Sequence, residues 1–247
     1  MSQKLRQEQI LHILEARGFV TVKYLIKALQ YSSATINRDL NAMQDAGLVK
    51  RSYGGVEAAK RSHLPPFPQR QLYMKKEKRR IAEAAAALVK DGDTVFLNGG
   101  TTVQHMAPFL IHKKNVRVIT NNMRLAIELA DSSLEVICLG GRITERPYLL
   151  GGDATVEQAL CYQPDKMFFS NGAVTKDGLV EGDDLLCRVM LKRCAAAWLL
   201  TDRTKLTDRA NNVLCDFSSL CGVISDFPFE EEVRLTYANT QFLTLDT

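Results

Sequence analysis

Five short polar or glycine-rich segments in this chain each follow an apolar run, and their residue types suit a small polar ligand. Asn98-Gly99-Gly100-Thr101-Thr102 follows Thr94-Val95-Phe96-Leu97 and precedes a helix carrying Val103 and Met106. A glycine turn at a strand end that opens a helix presents free backbone N–H groups and a positive dipole to an anion, and two hydroxyls add donors. An ordinary strand-to-helix turn, with Gly for positive φ and Thr as a cap, looks the same. The nucleotide-phosphate pattern G-x-x-x-x-G-K-[ST] is missing. Four other runs end in Thr120-Asn121-Asn122, Gly140-Gly141-Arg142, Ser170-Asn171-Gly172-Ala173 and Thr201-Asp202-Arg203-Thr204-Lys205. Any one of these is an unremarkable turn; five together point to one shared site.

A second constellation lies near the start. Ser33, Thr35, Asn37 and Arg38 open a helical stretch, Ala34 to Ala46, whose inner face is Ile36, Leu40 and Met43. Arg can grip guanine bidentately, and Asn can do the same for adenine. Lys50, Arg51 and Tyr53 follow on a predicted hairpin that turns at Gly54-Gly55, where they would hold backbone phosphates. Asp39 on the same helix would repel phosphate if it faced DNA, so it is expected to pair with a neighbouring Arg or Lys.

The elements that must position these residues can be read from periodicity. Ile10, Leu11, Ile13 and Leu14 recur at helical spacing and Gly18 stops that helix; Thr21 caps a second one with Val22, Tyr24, Leu25, Ile26 and Leu29. Ser32 or Ser33 caps the third, and Gly47 ends it. Three helices and a basic hairpin make a winged helix-turn-helix, whose second motif helix enters the major groove. Three-helix units also serve as protein-docking modules, so charge matters. Residues 1–80 hold 16 Lys and Arg against 6 Asp and Glu, net +10, while the rest of the chain nets −6. A basic head on an acidic body points to a polyanionic partner.

His63-Leu64-Pro65-Pro66-Phe67-Pro68 cannot continue a helix or a central strand. The expected organisation is therefore a head over 1–57, a linker over 58–74 and a second domain over 75–247. In the latter a helix over about 75–90 precedes apolar runs at Thr94–Leu97, Val116–Thr120, Glu135–Leu139, Lys166–Phe169, Ala197–Leu200 and Gly222–Ser225. Amphipathic segments at 123–130, 154–160 and 184–194 separate several of them. Strand and helix in alternation imply α/β: a mostly parallel sheet covered on both faces.

Composition narrows the function. No apolar run approaches the roughly 20 residues of a membrane span, and the N-terminal residues have no secretory pattern, so a cytoplasmic protein is expected. The six cysteines are scattered through the C-terminal half without a C-x-x-C pair or zinc spacing, so neither metal nor cofactor is expected.

Thr35-Ile36-Asn37-Arg38-Asp39-Leu40, followed by Gly47-Leu48-Val49-Lys50-Arg51-Ser52-Tyr53-Gly54-Gly55-Val56, resembles the DeoR family of bacterial transcription regulators. That family shows T-I-R-R-D-L and a wing closing in G-G-A; here Asn37 stands where the first Arg is usual and Val56 stands for Ala. The second domain is similar too. Ile119-Thr120-Asn121, Gly140-Gly141 and Asp202-Arg203-Thr204-Lys205 match I-T-N, G-G and a D-x-S-K-like segment, and Asn98-Gly99-Gly100-Thr101-Thr102 stands for D-S-G-T-T. Phe67, Arg70 and Lys78-x-x-Ile81-Ala82 fall on linker landmarks. The resemblance implies a sensor domain with the fold of ribose-5-phosphate isomerase that recognises phosphorylated sugars. Gly100, Thr101 and Thr102 would hold phosphate, and Lys205 would face the anionic ligand. Asn98, Asn121, Gly141, Asn171 and Gly172 would complete the effector site, with uncharged Asn98 suiting a more anionic ligand.

The resemblance also raises an enzyme with an appended head. The isomerase carries D-G-A-D-E, whereas Asn171-Gly172-Ala173-Val174-Thr175 lacks all three carboxylates. Asp183 and Asp184 lie near its catalytic Glu but equally suit a helix cap. A non-catalytic repressor of a carbohydrate operon is expected, with double-stranded operator DNA and a phosphorylated sugar as partners. Operators are read by dimers, so a homodimer or homotetramer is expected.

Overall fold

The structure, a computed structural model, describes residues 3–17, 19–45, 48–52, 54–58, 73–144, 148–182 and 184–245. Gly18, Gly47, Tyr53, Phe67, Arg70, Asp183 and most of the expected linker lie outside them. The chain divides into two compact units, Met1–Leu64 and Pro65–Thr247.

The first unit contains α1 (Gln3–Arg17), α2 (Val22–Leu29), α3 (Ser33–Asp45) and the hairpin β1 (Val49–Ser52) and β2 (Gly55–Ala58). Thr21 caps α2, accepting from the Tyr24 amide at 3.1 Å. The helix stops at Gln30, whose φ of 58° breaks it. Ser32 Oγ accepts from the Thr35 amide at 3.1 Å and opens α3. Ile10, Leu14, Leu25, Ile36, Leu40, Met43, Val49 and Val56 form the core. Val20 and Val56 exchange backbone hydrogen bonds of 2.9 and 2.8 Å, which ties the wing to the α1–α2 connection. Gly55 permits this, because a Cβ there would lie 2.4 Å from the Val20 carbonyl oxygen.

The second unit is built on seven parallel strands in the order β15-β14-β11-β8-β3-β4-β5. These are β3 (Thr94–Leu97), β4 (Arg117–Thr120), β5 (Glu135–Cys138), β8 (Lys166–Phe169), β11 (Ala196–Thr201), β14 (Gly222–Ser225) and β15 (Gln241–Thr244). All six apolar runs are strands of this sheet. Alternate residues face opposite layers: Val95, Leu97, Val118 and Phe168 pack in one core, and Phe96, Ile119, Met167 and Phe169 in the other. Helix α4 (Lys75–Ala87) and the short α5 (Thr101–Gln104), α6 (Ala107–Leu110) and α7 (Met123–Leu129) cover the first face. Helices α8 (Asp153–Ala159) and α9 (Leu185–Arg193) cover the second.

Sequence reading missed three features. The strand β15 closes one sheet edge. A four-stranded sheet, β12-β9-β10-β13, joins Leu206–Thr207, Ala173–Thr175, Leu179–Glu181 and Val213–Asp216. A two-stranded hairpin pairs β6 (Arg142–Ile143) with β7 (Leu150–Gly151).

The strand order locates the site. The chain runs from β3 through β4 to β5, then returns to place β8 on the other side of β3 and continues outward through β11. The order therefore reverses between β3 and β8. In open parallel sheets the crevice beyond the strand ends at such a reversal is where ligands bind.

Candidate functional site

Two surfaces carry the candidate residues, one in each unit. On α3, Ile36, Asp39, Leu40 and Met43 are buried while Ser33, Ala34, Arg38 and Asn41 are exposed. Asp39 faces inward and is fully buried. Arg6 neutralises it, with Nε donating to Oδ2 and Nη2 to Oδ1 at 3.0 Å; the Arg6 guanidinium also lies over the Tyr31 ring. The partner of Asp39 thus comes from α1, and the carboxylate does not face the polar side of α3.

Two side chains on this face are held by partners within the head. Asn37 does not present a free amide. Its Nδ2 donates to the Ser33 carbonyl at 2.9 Å and to Ser33 Oγ at 3.2 Å, and its Oδ1 accepts from Arg51 at 2.7 Å. Arg51 in turn is not a loose wing cation, because its other terminal nitrogen donates to Asn41 Oδ1 at 2.6 Å. Lys50 and Arg38 are exposed. Thr35 Oγ1 lies 2.8 Å from Ser32 Oγ.

In the second unit Asn98, at the end of β3, is a latch. Its Nδ2 donates to the Ser170 carbonyl at 3.1 Å and to Cys187 Sγ at 3.5 Å. Its Oδ1 accepts from the Gly100 and Ser170 amides, each at 3.1 Å. An amide offers two donors and two acceptor positions, and all four are taken. Asn98 therefore joins the tips of β3 and β8. The same bonds consume the Gly100 amide. Gly100 itself is required by approach, since a Cβ would stand 2.7 Å from Ser170 Cβ.

Around that latch the tips of β11, β8, β3 and β4 bring buried polar groups together. Lys205, from the turn after β11, donates through Nζ to Ser170 Oγ. Thr102 Oγ1, Asn121 Oδ1, Asn122 Nδ2, Asn171 Nδ2, Thr201 Oγ1 and Asp202 Oδ2 are buried without a hydrogen-bond partner. Buried polar atoms are rarely left unpaired, because each costs roughly 1–3 kcal/mol. Thr102 follows β3, Asn121 and Asn122 follow β4, Asn171 follows β8, and Thr201 and Asp202 close β11. Thr201 and Asp202 are contributors that sequence pattern alone does not single out from the segment ending in Lys205.

The β6–β7 hairpin borders this cluster. Asn121 Nδ2 donates to the Leu150 carbonyl and the Leu150 amide to the Asn121 carbonyl, both at 2.9 Å. Leu149 packs on Gly99, where a Cβ would meet its Cδ2 at 2.3 Å. Gly141, with φ of 142°, is a framework residue whose missing Cβ makes room for Thr155 Oγ1. Gly172 is half-buried in the turn after β8.

Burial pushes the Cys215 thiol up to about 12, with Asp216 adding to the shift, and the Cys194 thiol up to about 11. No group of three or more His, Cys, Asp or Glu among the described residues is arranged to hold a metal ion. Asp184 caps α9, its Oδ1 accepting from the Leu186 and Cys187 amides at 3.0 and 3.3 Å. No described helix is long and apolar enough to cross a membrane.

A winged helix-turn-helix followed by a parallel α/β domain with unpaired buried polar groups at its strand tips defines a ligand-responsive regulator in architecture. Residues 6–62 match the DeoR-like helix-turn-helix domain and residues 74–227 match the DeoR C terminal sensor domain, so the chain belongs to the DeoR family. It is 33% identical over 215 residues to the lactose phosphotransferase system repressor of Lactococcus lactis subsp. lactis, covering 83% of this chain and 84% of that one. It is 30% identical over 205 residues to the HTH-type transcriptional repressor CsqR of Escherichia coli K12, covering 81% and 78%. Ribose 5-phosphate isomerase A from Methanocaldococcus jannaschii superposes with a TM-score of 0.42 at 16% identity, over 55% of this chain and 56% of that one.

Proposed function

We infer that this chain represses transcription of a carbohydrate-metabolism operon and that a phosphorylated sugar modulates its grip on DNA. The head supplies the DNA contacts through Ser33, Thr35, Arg38, Lys50, Arg51 and Tyr53. The crevice supplies the effector contacts. One observation carries the effector reading: the tips of four adjacent strands carry buried polar atoms without partners, and the Lys205 cation donates to Ser170 Oγ at one of those tips. Asn121 Oδ1 and Asp202 Oδ2 are acceptors, which call for hydroxyl donors on the ligand. Lys205 and the hydroxyl of Thr102 call for an anion. A sugar phosphate combines both. The kinship with a lactose phosphotransferase system repressor supports repression of a carbohydrate operon.

Catalysis is not part of this reading. Isomerisation moves a proton between carbons and needs a positioned carboxylate base. Asn171, Val174 and Thr175 stand where the isomerase pattern has carboxylates, Val174 and Thr175 are buried, and Asp184 is spent as a cap.

The mechanism is a difference in affinity. An effector releases DNA only by binding two states of the protein unequally. A lone head makes too few contacts to select one site in a genome, so a homodimer or homotetramer places two heads on an operator. The test is a thermal-shift screen against phosphorylated and free sugars, followed by DNA retention with each hit. A true effector at about 100 times its Kd adds about 2.7 kcal/mol. Equal stabilisation by a free sugar and its phosphate, or none by any sugar phosphate, would refute the effector assignment.

A further inference from the structure

The Arg51 guanidinium is placed by two neutral acceptors on α3. It donates to Asn37 Oδ1 at 2.7 Å and to Asn41 Oδ1 at 2.6 Å. Residues 37 and 41 are one turn apart and lie on one stripe of the helix. At 100° per residue, Ala34, Arg38 and Asn41 fall opposite the buried stripe of Ile36, Leu40 and Met43. Arg51 therefore reaches from β1 onto α3, along the flank of the helix that carries Asn37 and Asn41, and Arg38 is exposed on the same helix.

The contrast with Arg6 shows what this arrangement preserves. Arg6 meets a buried carboxylate, and its charge is cancelled inside the head. Arg51 meets only amide oxygens, so its full charge remains. Arginine has five N–H donors in a rigid fork, and these two bonds leave three of them unspent. Asn37 closes the clamp from the other side by donating to the Ser33 carbonyl, which fixes its own oxygen toward Arg51. A fork held this way loses little side-chain entropy on binding.

We propose that Arg51, clamped across α3 by Asn37 and Asn41, is a base-reading residue that grips a guanine edge in the operator. The two asparagines are its positioning residues. This rests on the DNA-binding reading above but changes the role of the wing, since a cation held on the recognition helix can address base edges, whereas one on the wing tip addresses phosphates. Guanine presents O6 and N7 as paired acceptors in the major groove, which fits the guanidinium fork.

The test is selection of binding sites from a pool of randomised DNA duplexes by the full chain and by four variants. Arg51→Lys keeps the charge but loses the fork. It is expected to lose on the order of tenfold preference for guanine at one base pair per half-site, with the other positions and the salt dependence unchanged. Asn37→Ala and Asn41→Ala are expected to weaken preference at that same base pair and at no other, although neither removes a charge. Both replace Asn with a better helix former, so folding of α3 is retained. An unchanged guanine preference in Arg51→Lys would overturn the proposal. So would an Arg51→Ala variant that loses affinity uniformly with a shallower salt slope, the behaviour of a phosphate contact. If the wild-type chain selects no motif at all, the DNA-binding reading falls instead.

Discussion

Asn98 and Ser170, at the ends of neighbouring strands β3 and β8, are joined by two hydrogen bonds of 3.1 Å that run in opposite directions. The Asn98 side-chain amide donates to the Ser170 carbonyl and accepts from the Ser170 N–H. Aspartate has the same shape but cannot reproduce both bonds when ionised, because one oxygen would face the Ser170 carbonyl. We expect Asn98→Asp to cost about 1–3 kcal/mol at pH 7.5, read as a fall of roughly 2–4 °C in Tm per kcal/mol for a domain of this size. Burial beside a carbonyl raises the pKa of the new carboxyl above its unfolded value of about 3.9. The folded state then binds more protons, so stability returns as pH falls through that raised pKa. A melting temperature insensitive to both substitution and pH would contradict the latch.

Lys205 and Arg38 separate the two activities. Lys205→Ala removes the cation at Ser170 Oγ and is expected to abolish stabilisation by sugar phosphate while leaving operator affinity intact, giving a protein that stays on DNA. Arg38→Ala is expected to do the reverse, since Arg38 is exposed on α3. Fluorescence anisotropy of a labelled operator, with and without the screening hit, reads both. A normal effector response in Lys205→Ala would move the site elsewhere.

These residues also show what a sequence can and cannot disclose. The six sheet strands were legible as continuous apolar runs: the inner ones are buried on both faces, and the edge strand β5 carries Val136, Ile137, Cys138 and Leu139 in succession. The edge strand β15 has the same partly buried pattern as β5 but only two consecutive apolar residues, Phe242 and Leu243, between Gln241 and Thr244. The strands of the small sheet are two to four residues long, and Leu179–Glu181 buries only Val180, too little for a period to show. The strand tips were legible as a set of Gly, Asn and Thr turns, but their division of labour was not. Asn98 looked like a ligand contact, yet its partners at 170 and 187 are set by strand order. Arg51 looked like a wing cation, yet the oxygens that hold it belong to a helix 10 and 14 residues earlier. Asp39 was expected to find a nearby cation and found one 33 residues away. Local pattern specifies elements; contacts made by long polar side chains depend on how elements meet.

Close approach at Gly100 gives a third prediction. Its φ of −71° is ordinary, so alanine meets no backbone strain there. The obstacle is Ser170 Cβ at 2.7 Å and Asn98 Oδ1 at 3.2 Å. Gly100→Ala must push the tips of β3 and β8 apart, at a cost of about 1–3 kcal/mol typical of overpacking. Ser170→Gly removes the obstructing atom. The two substitutions are therefore expected to be non-additive, with the double variant more stable than the sum of the singles predicts. Strict additivity in denaturant titrations would show that the tips are not in contact.

A last prediction concerns His105, which follows α5. Burial lowers its pKa from the ordinary 6.5, and the positive charges of Lys78, Lys75 and Arg79 lower it further. Its Nε2 is buried without a partner, so protonation places a charge where nothing receives it. Between the depressed folded pKa and 6.5 the unfolded chain binds more protons than the folded one. Stability therefore rises with pH across that window, is complete above 6.5, and is lost as pH falls below it. His105→Gln is neutral throughout and is expected to remove this slope. Urea midpoints for the wild type and the variant between pH 5 and 8 should diverge below 6.5 and run parallel above it. Parallel curves over the whole range would mean that His105 titrates alike in the folded and unfolded chains.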